Sequence, residues 1–128
     1  MKALVVDDSD AVRGMLADHL ARIGFEVAQA ADGFEAIAQA ADPVRPDVVL
    51  LDWDLPFMDG VEVLRRLRGE SRTATVPVIM VATEHELPFL DRALDAGANE
   101  WLVKPFDAQA LLERLLLLGL DPEGRRAA

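Results

Sequence analysis

Residues 48–54 read Val48-Val49-Leu50-Leu51-Asp52-Trp53-Asp54. Four apolar residues, two of them β-branched, run straight into a carboxylate. A run this short and this uniformly apolar suits a strand buried on both faces, as in a parallel sheet. Two other runs end in the same way. Leu4-Val5-Val6 stops at Asp7-Asp8, and Trp101-Leu102-Val103 stops at Lys104. Parallel strands present their carboxyl ends at one edge, so this repetition predicts three acids and a lysine gathered there.

Outward from residue 48 the chain alternates between strand and helix patterns. Strands are predicted at Lys2 to Val6, Phe25 to Ala30, Asp47 to Leu51, Val76 to Ala82 and Glu100 to Val103, with Pro46 and Pro77 at strand starts, where a missing amide proton is tolerated. The second alternates in polarity and suits an edge. Ser9 or Asp10 caps a first helix to about Ile23, whose inward face is Val12, Met15, Leu16, His19, Leu20 and Ile23. Gly24 suits the left-handed position after it. Asp32 caps a helix from Gly33 to Ala41, stopped by Asp42-Pro43. Asp59 or Gly60 opens a third helix. The fourth runs from about Glu86 to Ala96 with Pro88 in its first turn, and Asp107 caps a fifth that ends near Gly119. Five βα units in a row imply a doubly wound α/β fold, a five-stranded parallel sheet with helices on both faces. One domain is expected over residues 1–120, with a frayed tail over 121–128.

The 128 residues suffice for a sizeable core, and a hydrophobic content of 52% argues against disorder. A net charge of −10 disfavours a nucleic-acid partner. With no cysteine, there is no disulfide framework and no thiolate metal site. No apolar run approaches the about 20 residues of a membrane span. The opening residues lack a signal-peptide layout, which points to the cytoplasm. His19 and His85 have no ligand partners at metal spacing.

Three carboxylates at one edge repel by roughly 4 kcal/mol per close pair at a surface-like dielectric. A cation removes that cost, and oxygen donors without histidine or cysteine select Mg²⁺, or Mn²⁺, over zinc. Lys104 supplies a point charge suited to a phosphoryl oxygen. Singly, each residue reads as a turn, a cap or a solvated charge. Together they read as a cation-dependent phosphoryl site.

The same residues carry a family resemblance. Val5-Val6-Asp7-Asp8, Leu50-Leu51-Asp52 with Pro56, Met58-Asp59-Gly60 and Lys104-Pro105-Phe106 resemble the receiver domain of bacterial two-component response regulators. The resemblance covers residues 2 to about 118, and the motif separations match those of single-domain chemotaxis regulators. It implies a flavodoxin-like strand order, 2-1-3-4-5. It implies that Asp52 accepts a phosphoryl group from a histidine kinase or phosphotransfer protein. Asp7, Asp8 and Asp52 would bind Mg²⁺, with the backbone carbonyl of Asp54 as a further ligand, and Lys104 would contact the phosphoryl group. Asp54 and Glu84 would tune hydrolysis of the acyl phosphate. Output would pass to a protein target over the face of the fourth helix, fifth strand and fifth helix.

The chain departs from the family at its switch. Ala82 stands where the family places Ser or Thr, and a methyl group cannot donate a hydrogen bond to a phosphoryl oxygen. Thr83 follows, but one residue of slip in a strand turns a side chain to the opposite face. It substitutes only if the strand end bends; otherwise it restricts access. Trp101 stands where the family carries a rotating Tyr or Phe; it is either that switch or a core aromatic of the last strand. Loading of Asp52 is expected to be intact and its coupling to output altered. The leucines of the last helix cover more than one core stripe, so one or two beside Trp101 are expected to mark a partner or homodimer face.

Two alternatives remain at this point. Asp52-Trp53-Asp54 also resembles the Asp-x-Asp nucleophile of haloacid-dehalogenase-type phosphohydrolases, although that motif sits on the first strand of a longer chain. Ala82 also allows a degenerate interaction module that never uses phosphate.

Overall fold

The computed structural model describes residues 1–41, 43 and 45–124. Five strands form one parallel sheet: β1 (Lys2–Val6), β2 (Glu26–Ala30), β3 (Val48–Asp52), β4 (Val78–Ala82) and β5 (Glu100–Val103), in the order β2-β1-β3-β4-β5. Between and after them lie α1 (Asp10–Ile23), α2 (Gly33–Ala40), α3 (Gly60–Gly69), α4 (Leu90–Ala96) and α5 (Ala108–Leu117). The predicted fold class and strand order are both found.

Strand alternation builds two cores. Ala3, Val5, Val48, Leu50, Ile79 and Leu102 face Leu16, Leu20 and Ile23 of α1 and Leu111 and Leu115 of α5. Leu4, Val6, Val49, Leu51, Val78 and Met80 face α2, α3 and α4 through Ala36, Ala40, Val63, Leu64, Leu67 and Ala93. The central strands are therefore apolar on both faces, apart from Lys2 at the start of β1 and Asp52 at the end of β3, and full burial of one such leucine contributes about 2 kcal/mol by transfer alone. β2 lies at the sheet edge and is exposed or half-buried at every position but its last, Ala30.

Side-chain caps fix the helix starts. Ser9, Asp32, Asp59 and Asp107 each accept a backbone N–H from three residues on. Gly24 and Gly97 close α1 and α4 at φ 117° and 111°, which favour glycine. Three expectations need correction. The segment before α4 is not continuous α-helix: a 3-10 turn at Leu87–Phe89 precedes it, because Pro88 and the reach of the Glu86 carboxylate to Thr83 set a tighter start. Met15 is 46% exposed and not part of the α1 core face. Leu120 is buried, and Asp121 and Pro122 after it are half-buried, so the predicted fraying does not begin at 121. Asp42 of the Asp42-Pro43 stop, and the rest of the tail beyond residue 124, lie outside the described residues.

Arg68, in the last turn of α3, ties three segments together. Its guanidinium donates to the carbonyls of Thr73 and Val76, to the Gly97 carbonyl through two nitrogens, and to Asn99 Oδ1 at 2.9 Å. Burial lowers its pKa below the usual arginine value. Asn99 Oδ1 in turn accepts the Val78 amide at 2.8 Å, at the start of β4.

Candidate functional site

β1 and β3 are neighbours, with Val6 opposite Leu51. Asp7, just past β1, and Asp52, the last residue of β3, therefore emerge side by side. They are 2% and 6% exposed. Asp8 follows Asp7 and is exposed. One carboxylate oxygen from each of Asp7, Asp8 and Asp52 lies within 4.8 Å of the other two. Lys104, just past β5, reaches across the edge: its Nζ stands 3.1 Å from Asp7 Oδ2 and 3.1 Å from Asp52 Oδ1.

Backbone contacts hold these groups in place. Asp7 Oδ1 accepts the Ser9 amide at 2.9 Å, and the Asp7 carbonyl accepts from Arg13 Nη1 at 2.8 Å. The Trp53 amide donates to Val81 O and the Lys104 amide to Ala82 O, which locks the ends of β3, β4 and β5 together. Gly60 brings the start of α3 against the end of β3; a Cβ there would lie 2.3 Å from the Asp52 carbonyl oxygen. Only glycine fits, which gives the Met58-Asp59-Gly60 motif a physical reason.

Burial pushes the Asp52 carboxyl up to about 6. The Asp7 charge adds to that rise, Lys104 opposes it through charge and hydrogen bond, and Glu86 adds a smaller upward push. For Lys104, burial acts downward, but the Asp52 and Asp7 carboxylates outweigh it and leave the ammonium above the usual lysine value. The edge is thus an oxygen-only pocket with more negative charge than one lysine neutralises. Those donors fit a hard divalent cation. The Asp54 side chain is exposed and stands outside the three-carboxylate cluster.

Residues 3–116 match the family model of the response regulator receiver domain. The chain belongs to that family. Among curated receiver proteins it is 39% identical over 123 residues to the chemotaxis protein CheY1 of Helicobacter pylori, covering 94% of this chain and 99% of that one. It is 39% identical over 116 residues to a CheY homologue of Campylobacter jejuni, covering 90% and 89%. Among solved receiver structures, CheY4 of Vibrio cholerae superposes with a TM-score of 0.84 at 38% identity, covering 91% of this chain and 97% of that one.

In this receiver domain the positions expected to form a switch have their own arrangement. Ala82 is fully buried and pairs in register with Val103, so β4 neither bends nor bulges at its last residue. Thr83 is half-buried, and its hydroxyl donates to Glu86 Oε1 at 3.2 Å. Glu84 is exposed. Trp101 is half-buried and belongs to neither core, which corrects the core-aromatic alternative; the Arg114 guanidinium lies 4.8 Å over its ring and also pairs with Glu100. Leu117, three residues beyond Arg114, is 62% exposed, as the surplus of leucines implied.

Sequence reasoning missed Arg13, Arg68 and Glu86. Thr83-x-x-Glu86 has capping-box spacing, a signal that could have found the last. It also missed an exposed pair of rings, Phe34 and Phe57, with centroids 6.4 Å apart.

Proposed function

We propose that this receiver domain is a phosphorylation-dependent signalling switch that takes a phosphoryl group onto Asp52 from the phosphohistidine of a histidine kinase or phosphotransfer protein. The observation that carries the reading is the pairing of the buried Asp52 carboxylate with Lys104, beside Asp7 and Asp8, at the end of the central strand. Asp7, Asp8 and Asp52 would hold Mg²⁺ or Mn²⁺, with the Asp54 carbonyl as a further ligand. When bound, the metal neutralises charge that develops on the phosphoryl oxygens during transfer.

The chain's own groups do the rest. With its carboxyl at about 6, Asp52 is mostly ionised near pH 7.5 and offers a lone pair. Its oxygen forms the new P–O bond as the P–N bond to histidine breaks, and the electron pair stays on the histidine nitrogen. Lys104 moves from pairing Asp52 to pairing the oxygens of the new phosphoryl group, a point charge that needs no fixed approach angle. Asp54 and Glu84, both exposed at the mouth, would tune access of water to the acyl phosphate.

The chain acts on itself and has no separate substrate to turn over. Its output would be a protein met over the face of α4, β5 and α5, where Trp101, Arg114 and Leu117 lie; a second copy of the chain is the other candidate for that face. Among the described residues no helix is long and apolar enough to cross a membrane. We place the protein in the cytoplasm with its kinase and assign it no nucleic-acid partner, in keeping with its charge of −10.

Intact-mass analysis after treatment with acetyl phosphate and Mg²⁺ tests the reading. The wild type should gain one phosphoryl group and Asp52→Asn none. Wild type that gains nothing would favour a phosphate-independent module, and repeated turnover of a phosphoester would favour a phosphohydrolase.

A further inference from the structure

Position 82 carries no hydroxyl, so something else must sense charge arriving on Asp52 if the domain is to respond. The end of β4 holds a candidate. The Thr83 amide donates to Glu86 Oε1 at 2.8 Å, and the Thr83 hydroxyl donates to the same oxygen at 3.2 Å. In return, the amides of Glu86 and Leu87 donate to the Thr83 carbonyl, each at 3.1 Å. One carboxylate oxygen thus closes the loop between β4 and the 3-10 turn.

A capping box would explain the spacing alone. Two observations go further. In a capping box the hydroxyl accepts from the helix, whereas here its proton is committed to the carboxylate. And Val81 is the register partner of Asp52 on β3, so Thr83, two residues on, holds the Glu86 carboxylate at the same sheet edge as the phosphoacceptor. Glu86 is therefore an anion already seated at the strand end beside the phosphoacceptor, half-buried and bound by the two donors of Thr83.

We propose that Thr83 and Glu86 form a charge-operated latch: negative charge on Asp52 drives the Glu86 carboxylate off the Thr83 amide and hydroxyl, freeing both donors and loosening the 3-10 turn that follows. The proposal rests on the phosphoacceptor reading of Asp52. Placing a phosphoryl group there adds negative charge in a partly desolvated site, where repulsion is stronger than in water. Release acts first on Leu87–Phe89, whose Leu87 and Phe89 side chains are 39% and 46% exposed. The latch thus makes Glu86 a positioning residue. It also makes Glu86 an electrostatic brake on loading.

The test compares wild type with Glu86→Gln by amide NMR, with and without beryllofluoride and Mg²⁺. Glutamine keeps an acceptor oxygen and loses the charge. Trp53 reports occupancy of Asp52, and residues 83 and 86–89 report the latch. In wild type both sets should shift; in Glu86→Gln only Trp53 should. Equal shifts at 86–89 in both proteins, or none in wild type while Trp53 responds, would overturn the latch alone. A silent Trp53 in both would overturn the phosphoacceptor reading and the latch with it. The rate of loading by acetyl phosphate gives a second readout. Glu86→Gln should load several-fold faster at low salt, and the gap should shrink at about 1 M salt, where the Debye length is about 3 Å. A gap indifferent to salt would mark a purely structural role and overturn the proposal.

Discussion

Lys104 Nζ lies 3.1 Å from Asp52 Oδ1, and the two residues come from strands that do not touch, β5 and β3, with β4 between them. The pair therefore spans the sheet edge, and it also neutralises Asp7. Lys104→Met leaves two buried carboxylates without a counter-ion. At pH 7.5 without metal the variant should lose about 2 kcal/mol of stability, less than a fully buried pair because the lysine is partly exposed. Added Mg²⁺ should recover more stability in the variant than in wild type, because the bound cation replaces the missing charge. Urea denaturation with and without Mg²⁺ measures both effects.

The raised Asp52 carboxyl makes stability depend on pH. Its ordinary value is 3.8 and its folded value about 6. Between those values the folded chain keeps a proton that the unfolded chain has lost. Stability of the metal-free domain should therefore fall as pH rises through that window, and the contribution is gone above about pH 6. Asp52→Asn removes the effect. The variant should match wild type near pH 4 and exceed it by about 3 kcal/mol at pH 7. A gap that stays constant across the window would contradict this account.

Gly60→Ala should be costly, because its Cβ meets backbone, 2.3 Å from the Asp52 carbonyl oxygen and 3.0 Å from Trp53 Cα. A loss of about 3 kcal/mol is expected, with a shift in Trp53 emission as the end of β3 moves. Gly14→Ala is the control. Nothing lies within 4 Å of its added carbon, it sits inside α1, and it should gain about 0.5–1 kcal/mol. Thermal melts of the two variants compare them directly.

Trp53, half-buried beside Asp52, should report metal. In a Trp101→Phe background it is the remaining indole of the two. Its fluorescence should change on Mg²⁺ titration and fail to change in Asp7→Asn with Asp8→Asn. No response up to tens of millimolar metal would argue against a cation site at these carboxylates.

Ala82→Thr introduces a hydroxyl at a fully buried position. It should cost about 1–2 kcal/mol of stability without phosphate. Binding of the output partner should then depend more steeply on phosphorylation than in wild type. Equal dependence would show that the missing hydroxyl does not limit the response.

Much of this was legible because strand-end charges are local signals. Asp7, Asp52 and Lys104 each terminate an apolar run, and a parallel sheet must bring such termini together. β1 and β5 end where their apolar runs do and begin one residue before them, as predicted. What stayed hidden depends on long-range partners. Arg68 looks solvated in a helix's last turn, yet its acceptors lie on loops that arrive later in the chain. Trp101 reads equally as a switch or as a core aromatic, and its contact with Arg114, from α5, has no local signal. The start of α4 was misjudged because a single carboxylate, Glu86, turns back to Thr83 and sets the local geometry.

The Arg68 cluster has a mechanical consequence. It pins the α4–β5 turn through Gly97 and Asn99, at the end of α4 remote from the phosphoacceptor. The opposite end is held to β4 at Thr83, by the Glu86 carboxylate oxygen and by the Glu86 and Leu87 amides on the Thr83 carbonyl. Of these contacts, the carboxylate is the one that charge on Asp52 would repel. Were the proposed latch to open, α4 would tilt about the end that Arg68 holds, so an arginine that touches neither metal nor phosphate would set the pivot at the opposite edge of the sheet.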